Sequence, residues 1–482
     1  MKTIRGGLDD TANRRTILVV VGEDIIVRNL LATDFGDVLR RHAARDGARL
    51  VIVAPPDLIR RIQEVIGNDV EVHALPRVRR TAWELLLTAI MRNSISTHTN
   101  TWEKMRPFAD GTASLAATLA KRWWTAIAGR SELVKVLLRR LFLFGRPDEA
   151  IMHLFDTVQP DVVVPLCLVR FDYDVCIARE GRRRGVPIVG MVRSWDNLTS
   201  HGLLNIVPDV LLLQNRFLMD AARRYQVIPL AVCEGSLGIP HYDAYHDAAN
   251  HVIPRSQLCE LLDLDPQKRI ILYGAMGEFL FTRERDMITI FDELLAHDPA
   301  LQDVQVVFRA HPSFIPEGSE LDMTRVRVFK PSGFTGASRG FSNERILMSM
   351  IYHADVVITC GSTFGIDAFV LDRPLICVAF DGRHPEPYWR SAARYYDSYT
   401  HYEAFVAAGC VRCVRSDVEL GHALRDALTS GRVDPGDRRR VLDLFVEPFD
   451  GQAGRRLANQ MWAEIRGART GSDEGHSQMR DA

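Results

Sequence analysis

The chain has 482 residues, 47% of them apolar and 25% charged, with a formal net charge of −1. This length exceeds one ordinary hydrophobic core, so two domains are expected, and the composition is that of a globular protein. A balanced charge argues against a general polyanion binder. No run of 18 or more apolar residues is present, which excludes a membrane-spanning helix.

Met1–Arg15 is polar and mixed in charge, with no apolar stretch of the kind a signal peptide needs; this tail and 467–482 are expected to fray. Thr16–Gly22 is a continuous apolar run ending in glycine and predicts a buried parallel strand. A helical pattern over 27–46 follows, then a strand at Arg49–Ala54 closed by Pro55-Pro56, and a third at Val70–Leu75. Asp161–Leu166 and Val186–Met191 predict strands around an Arg-rich helix at 175–184, with Asp209–Leu213 and Leu230–Cys233 completing the first half. Near 240 the series restarts. Strands are expected at 269–273, 304–309, 326–329, 355–359, 374–378 and 411–414, with helices near 284–297, 343–352 and 364–371. Strands alternating with helices mean βαβ units and parallel sheets. The expected organisation is α/β: two Rossmann-like domains, 16–240 and 241–440, facing a cleft. A helical segment over 441–466 crosses back to the first domain.

The stretch 79–146 lacks strand character. It holds twelve Lys/Arg against four acids, a net +8 that leaves −9 to the rest of the chain, and it carries Trp83, Trp102, Trp123 and Trp124. Three readings apply. Its helices pack on the first domain with their charges solvated, they touch a membrane surface, or they hold single-stranded nucleic acid. The first is favoured, the second follows, and nucleic acid is not expected as a partner. Eight cysteines are scattered, with Cys410-x-x-Cys413 the only close pair, which fits a reducing cytoplasm and no metal.

Two motifs carry chemistry. Arg309-Ala310-His311-Pro312 ends one predicted strand, and Gly361-Ser362-Thr363, with Asp367 one turn on, ends another and opens a helix. The ends of strands in open α/β sheets are where ligands bind, and helix N-termini favour phosphate. Pro312 makes a sharp turn, from which His311 can donate to a phosphate oxygen. Arg309 is grouped with it. Gly277, in Gly274-Ala-Met-Gly277, permits close backbone approach, and Asp367 can take a ribose hydroxyl or complement the helix dipole. In the loop Ser194–Gly202, Trp195 offers a stacking face, Asn197 and Ser200 offer polar contacts to an acceptor, and Asp196 is a candidate general base. Asp172 is its main rival, with Asp174, Glu23 and Asp24 also in reach. No hydrolase elbow, zincin or P-loop motif is present.

Arg-Ala-His311-Pro312, the stretch 354–367 and Arg373-Pro374 resemble motifs of the two-Rossmann-domain (GT-B) glycosyltransferases of bacterial surface carbohydrate assembly. These include CDP-glycerol glycerophosphotransferases, capsule polysaccharide transferases and His-Pro-motif sialyltransferases. Asp450–Arg456 resembles the start of their terminal crossing helix, and the Ser194–Gly202 loop and Gly235–Asp243 are similar to segments of related capsule-type proteins. The resemblance implies an inverting, metal-independent transferase without cofactor. His311, Ser362 and Thr363 would hold the phosphate of a nucleotide-linked donor, CMP- or CDP-linked, and the acceptor would be a carbohydrate or lipid-linked molecule. The implied location is cytoplasmic, peripheral at the inner face of the cell membrane. A sugar-nucleotide 2-epimerase on the same architecture is an alternative, although the combined His and Arg pattern of those enzymes is not found; a non-catalytic partner in polysaccharide assembly is another.

Overall fold

The computed structural model describes residues 14–78, 80–169, 173–278, 280–312, 325–332, 337–338, 340–409 and 411–468. Seven strands build the first domain: β1 (Thr16–Val20), β2 (Arg49–Ala54), β3 (Glu71–Ala74), β4 (Val162–Pro165), β5 (Val189–Met191), β6 (Val210–Leu212) and β7 (Cys233–Glu234). They form the ladders β3-β2-β1-β4 and β5-β6-β7, joined by a parallel bridge between Val163 and Ile188. Every side chain of β1 is buried, as a strand covered by helices on both faces requires.

The second domain repeats the plan with β8 (Arg269–Gly274), β9 (Val304–Arg309), β10 (Val326–Phe329), β13 (Val356–Thr359), β14 (Leu375–Val378) and β15 (Arg412–Val414); β11 (Ala337–Ser338) and β12 (Phe341–Ser342) pair as a small antiparallel hairpin. The order β10-β9-β8-β13-β14-β15 is parallel throughout. Each sheet therefore changes winding direction beside its first strand, at β1/β4 and at β8/β13. The crevice at such a switch point is the usual ligand site of the doubly wound fold.

Two expected elements differ in detail. The 27–46 helix is split into a π-helical turn, Val27–Leu31, and a helix at Asp34–Arg45, because Thr33 caps the second piece by accepting from the Phe35 N–H at 3.3 Å. The 230–233 strand shrinks to β7: Pro229 precedes a 3₁₀ turn at Leu230–Val232, and only Cys233–Glu234 joins the ladder.

The basic stretch forms helices Ala82–Arg92, His98–Ala109, Leu115–Ala128 and Glu132–Leu143. Leu87, Met91, Leu138 and Phe142 enter the first core, and Glu84 meets Arg179 at 2.5 Å with both side chains buried. The helix His98–Ala109 reaches the second domain: the Thr400 N–H donates to Thr99 Oγ1 at 3.0 Å, Arg390 pairs with Asp110 at 2.5 Å, and Trp102 meets Tyr388 edge-on. The last helix, Ala453–Gly467, lies on Asp34–Arg45, where Trp462 stacks on His42 and donates to Asp46 at 2.8 Å. Leu457, Met461 and Ile465 complete the first core. Among the described residues, no helix is long and apolar enough to cross a membrane.

Candidate functional site between the domains

Arg309, Gly274 and Thr359 pair in one row across β9, β8 and β13. The segments that follow them, Ala310–Pro312, Ala275–Gly277 and Cys360–Thr363, therefore emerge side by side on the edge facing the first domain. Gly274 is required here because a Cβ would lie 2.6 Å from the Phe364 ring; its absence lets the helix Phe364–Val370 sit close over β8. Gly361 has φ of 55°, a left-handed conformation, and is gripped by two tyrosines: its N–H donates to Tyr396 Oη at 2.6 Å and its carbonyl accepts from Tyr402 Oη. The Ser362 hydroxyl accepts from the Phe364 N–H at 3.3 Å, in the turn that opens the helix. Thr363 is exposed, and among the described residues its hydroxyl has no partner.

The turn after β8 is built by a residue that the motifs did not flag. Glu284, fully enclosed, accepts the N–H groups of Met276 and Gly277, each at 2.6 Å, and the Tyr273 hydroxyl at 3.2 Å. Burial pushes its pKa up to about 7, with these hydrogen bonds pulling the other way. The Gly277 N–H is thus committed to Glu284 rather than open to a ligand.

Where the two domains meet lies a buried cluster of charge. Arg309 is only 8% exposed, and its Nε has no hydrogen-bond partner. Burial and the nearby Arg28 of the first domain lower its pKa to about 10. Asp367 accepts from the Tyr242 hydroxyl at 2.6 Å. Burial raises its pKa to about 6, against the opposing pull of Tyr242, Arg28 and Arg309. His241 is driven down to about 3 by burial and by Arg28, so it is neutral. His311 is also lowered, by burial and by Arg309, which favours its uncharged form at neutral pH. Arg28 stands on the π-helical turn after β1, a geometry that recurs at functional sites.

Arg28, His241 and Tyr242 were not singled out from sequence. Arg28 lies in an unremarkable apolar stretch, and only the fold brings it opposite β9. The segment 235–243 carried the one available signal, its likeness to capsule-type proteins.

The Ser194–Gly202 loop serves packing, and three expectations are corrected. Trp195, 6% exposed, is enclosed edge-on by His401, Tyr402, Phe405 and Phe445 of the second domain and offers no open face to a sugar. Asn197 Oδ1 accepts the N–H groups of Arg193 and Ser194 at 3.1 and 2.9 Å, and the Ser200 hydroxyl donates to Asp196 at 2.8 Å. Both side chains are consumed inside their own turn, where no acceptor reaches them. Burial would raise Asp196, but His201, His401 and hydrogen bonds from Ser194 and Ser200 outweigh it and hold the carboxyl at about 2, too acidic for an effective general base. Asp172 lies outside the described residues. Asp174 is buried and accepts from the Cys167 N–H at 2.8 Å; Glu23 pairs with Arg193, and Asp24 with Arg61 at 3.4 Å.

Two facing Rossmann-like parallel-sheet domains are the arrangement of the GT-B fold. The family model described as CDP-Glycerol:Poly(glycerophosphate) glycerophosphotransferase matches residues 217–463, just over half of the chain, and the chain belongs to that family. A search of curated proteins finds no match. Among solved structures, the chain is similar to a glycosyltransferase from Rickettsia africae ESF-5 (11% identity, 95% of this chain and 100% of that one, TM-score 0.50). It is also similar to an S. aureus MnaA–UDP co-structure (10%, 96% and 100%, TM-score 0.51). A putative UDP-N-acetylglucosamine 2-epimerase from Listeria monocytogenes gives 10% identity, 96% and 99% coverage and a TM-score of 0.52. At these identities the likeness is one of fold.

Proposed function

We propose that the protein transfers a glycosyl or glycerophosphoryl group from a nucleotide-linked donor, CMP- or CDP-linked, to a hydroxyl of a surface-carbohydrate or glycolipid acceptor. The observation that carries this reading is the Arg309 guanidinium, buried with an unpartnered Nε and faced by a second cation, Arg28. A buried guanidinium N–H lacking an acceptor is costly, and an anion between the two arginines supplies one. The donor phosphate is that anion. As the acceptor hydroxyl oxygen bonds to the transferred carbon or phosphorus and its proton passes to solvent, the bond to the nucleotide phosphate breaks and charge collects on the leaving group. Arg28, Arg309 and the His311 N–H stabilise that charge, with Ser362 and Thr363 at the neighbouring strand end. Asp367 accepts a hydroxyl of the donor. The residues supply the positive charge themselves, so the reading invokes no metal.

Thermal shifts with CMP, CDP, UDP and ADP, followed by acceptor-dependent release of nucleotide from CDP-glycerol and from a CMP-sugar, test the reading. His311→Ala is expected to lose ~10²–10³ in rate, as removal of one such donor does, with its melting curve unchanged. A pyrimidine nucleotide should stabilise the wild type. If none does at millimolar concentration, the donor site is refuted; turnover of a nucleotide sugar without acceptor would make the protein an epimerase.

A further inference from the structure

The helical insert has a second face that the fold leaves uncovered. Of the fifteen exposed large apolar side chains among the described residues, twelve lie between Trp83 and Phe144. Ten of them lie on helices Ala82–Arg92, Leu115–Ala128 and Glu132–Leu143, the last of which packs against the other two; Phe108 is on His98–Ala109, and Phe144 follows the last helix. Leu115, Leu119, Trp123 and Ile127 recur every four residues and form one stripe, with Trp123 68% exposed; on the next helix Leu133 is 84% exposed, and Phe144 just beyond it is 82% exposed. Soluble proteins rarely leave so many large apolar groups together in water.

The inward sides of the same helices are already anchored. Lys135 Nζ donates to the Tyr225 carbonyl at 2.8 Å, Arg139 donates to the carbonyls of Leu204 and Gln226, and the Trp124 indole donates to Ser94 at 3.0 Å. The outward face is therefore not needed for the fold. Its charge is strongly one-sided. Between 80 and 146 seven cations are exposed, among them Lys121, Arg122, Arg130 and Arg140, against a single exposed acid, Glu132. The remaining acids of the insert turn inward or toward the second domain, as Glu84 does on Arg179 and Asp110 on Arg390.

We propose that this face seats on an anionic lipid bilayer, with the Trp123–Leu133–Phe144 surface entering the headgroup boundary and the cations around it contacting lipid phosphates. A large apolar face ringed by Lys/Arg is the composition of an in-plane membrane element, and each cation near such a surface adds attraction that salt screens. The charge complementarity selects this occupant: a second copy of the chain would bring the same positive face against itself. Because helix His98–Ala109 of the same insert also holds Tyr388, Arg390 and Thr400, a docked insert anchors both domains at the surface.

Co-sedimentation of the full chain with phosphatidylcholine vesicles, and with vesicles that also contain phosphatidylglycerol, tests the proposal. Wild type is expected to bind the anionic vesicles at least tenfold more tightly than the neutral ones, more weakly in high salt, with a blue shift of tryptophan fluorescence. The double substitution Trp123→Glu, Leu133→Glu changes only exposed positions; it should keep the wild-type melting curve and lose the binding. If that variant fails to fold, Phe144→Glu alone is read in the same way. Absence of wild-type binding overturns the proposal, as does equal binding by the folded variant. A solution dimer that the substitutions split assigns the face to a second copy and also overturns it. None of these readouts depends on catalysis.

Discussion

The Tyr242 hydroxyl donates to Asp367 Oδ1 across 2.6 Å, tying the segment that joins the two domains to the helix that follows β13. Asp367 titrates at about 6 and faces Arg28 and Arg309. Below that pH the two cations are uncompensated; above it the carboxylate partly neutralises them. Sulfate, whose charge is constant in this range, should therefore bind more weakly as pH rises through about 6. Tyr242→Phe removes a hydrogen bond that stabilises the ionised form, so the midpoint should move upward. Asp367→Asn should make binding nearly independent of pH over the same window. Calorimetric titration with sulfate at several pH values measures all three.

Arg309→Met separates binding from stability. The substitution keeps an unbranched apolar stem and removes a buried charge whose Nε is unsatisfied. Melting temperature should rise or hold, since apolar replacements of buried charges are often stabilising. Nucleotide affinity should fall at least tenfold, because a hydrogen bond to a charged group is worth roughly 1.5–3 kcal/mol. A variant that is less stable yet binds nucleotide normally would make Arg309 a structural residue.

Glu284 should impose a pH slope on stability. Burial pushes its folded pKa up to about 7, above the ordinary value of 4.5. The folded state therefore holds this proton more tightly than the unfolded chain does. The associated stability is fully present below about pH 4.5 and is lost as pH rises through about 7. At about 1.4 kcal/mol per pKa unit, the swing is on the order of 3 kcal/mol. Glu284→Gln should flatten that part of the curve in denaturant titrations from pH 4.5 to 7.5.

Trp195→Ala should behave as a core mutation. The ring touches four aromatic partners across the domain boundary, and loss of such a side chain costs roughly 3–5 kcal/mol. Urea denaturation is expected to show that loss. A stable protein with only a raised acceptor KM would return Trp195 to the acceptor site.

The parallel strands were legible in the sequence because burial on both faces leaves uninterrupted apolar runs. Val304–Arg309 and Val356–Thr359 match their expected positions to within a residue. The motifs after them were legible for the same reason: they begin where those runs stop. The partners were not. Nothing in the sequence places Arg28, some 280 residues away, beside Arg309, and the carboxylate that shapes the Gly277 turn belongs to an ordinary charged stretch. Trp195 misled because a tryptophan in a polar loop looks the same whether it faces a ligand or the other domain's aromatic cluster, and only tertiary packing distinguishes the two. A single π-helical turn is likewise invisible to a helical period.

The terminal helix has a consequence for biosynthesis. Leu457, Met461, Trp462 and Ile465 close the core of a domain whose last strand, β7, ends at Glu234. Roughly 220 residues separate the two, and at ribosomal speeds of about 5–20 residues per second the first domain waits on the order of ten seconds or more for its final wall. Through that interval the apolar side of Asp34–Arg45 is uncovered in the nascent chain. The second domain can complete its own sheet first, so the order of maturation along this protein runs against the order of synthesis.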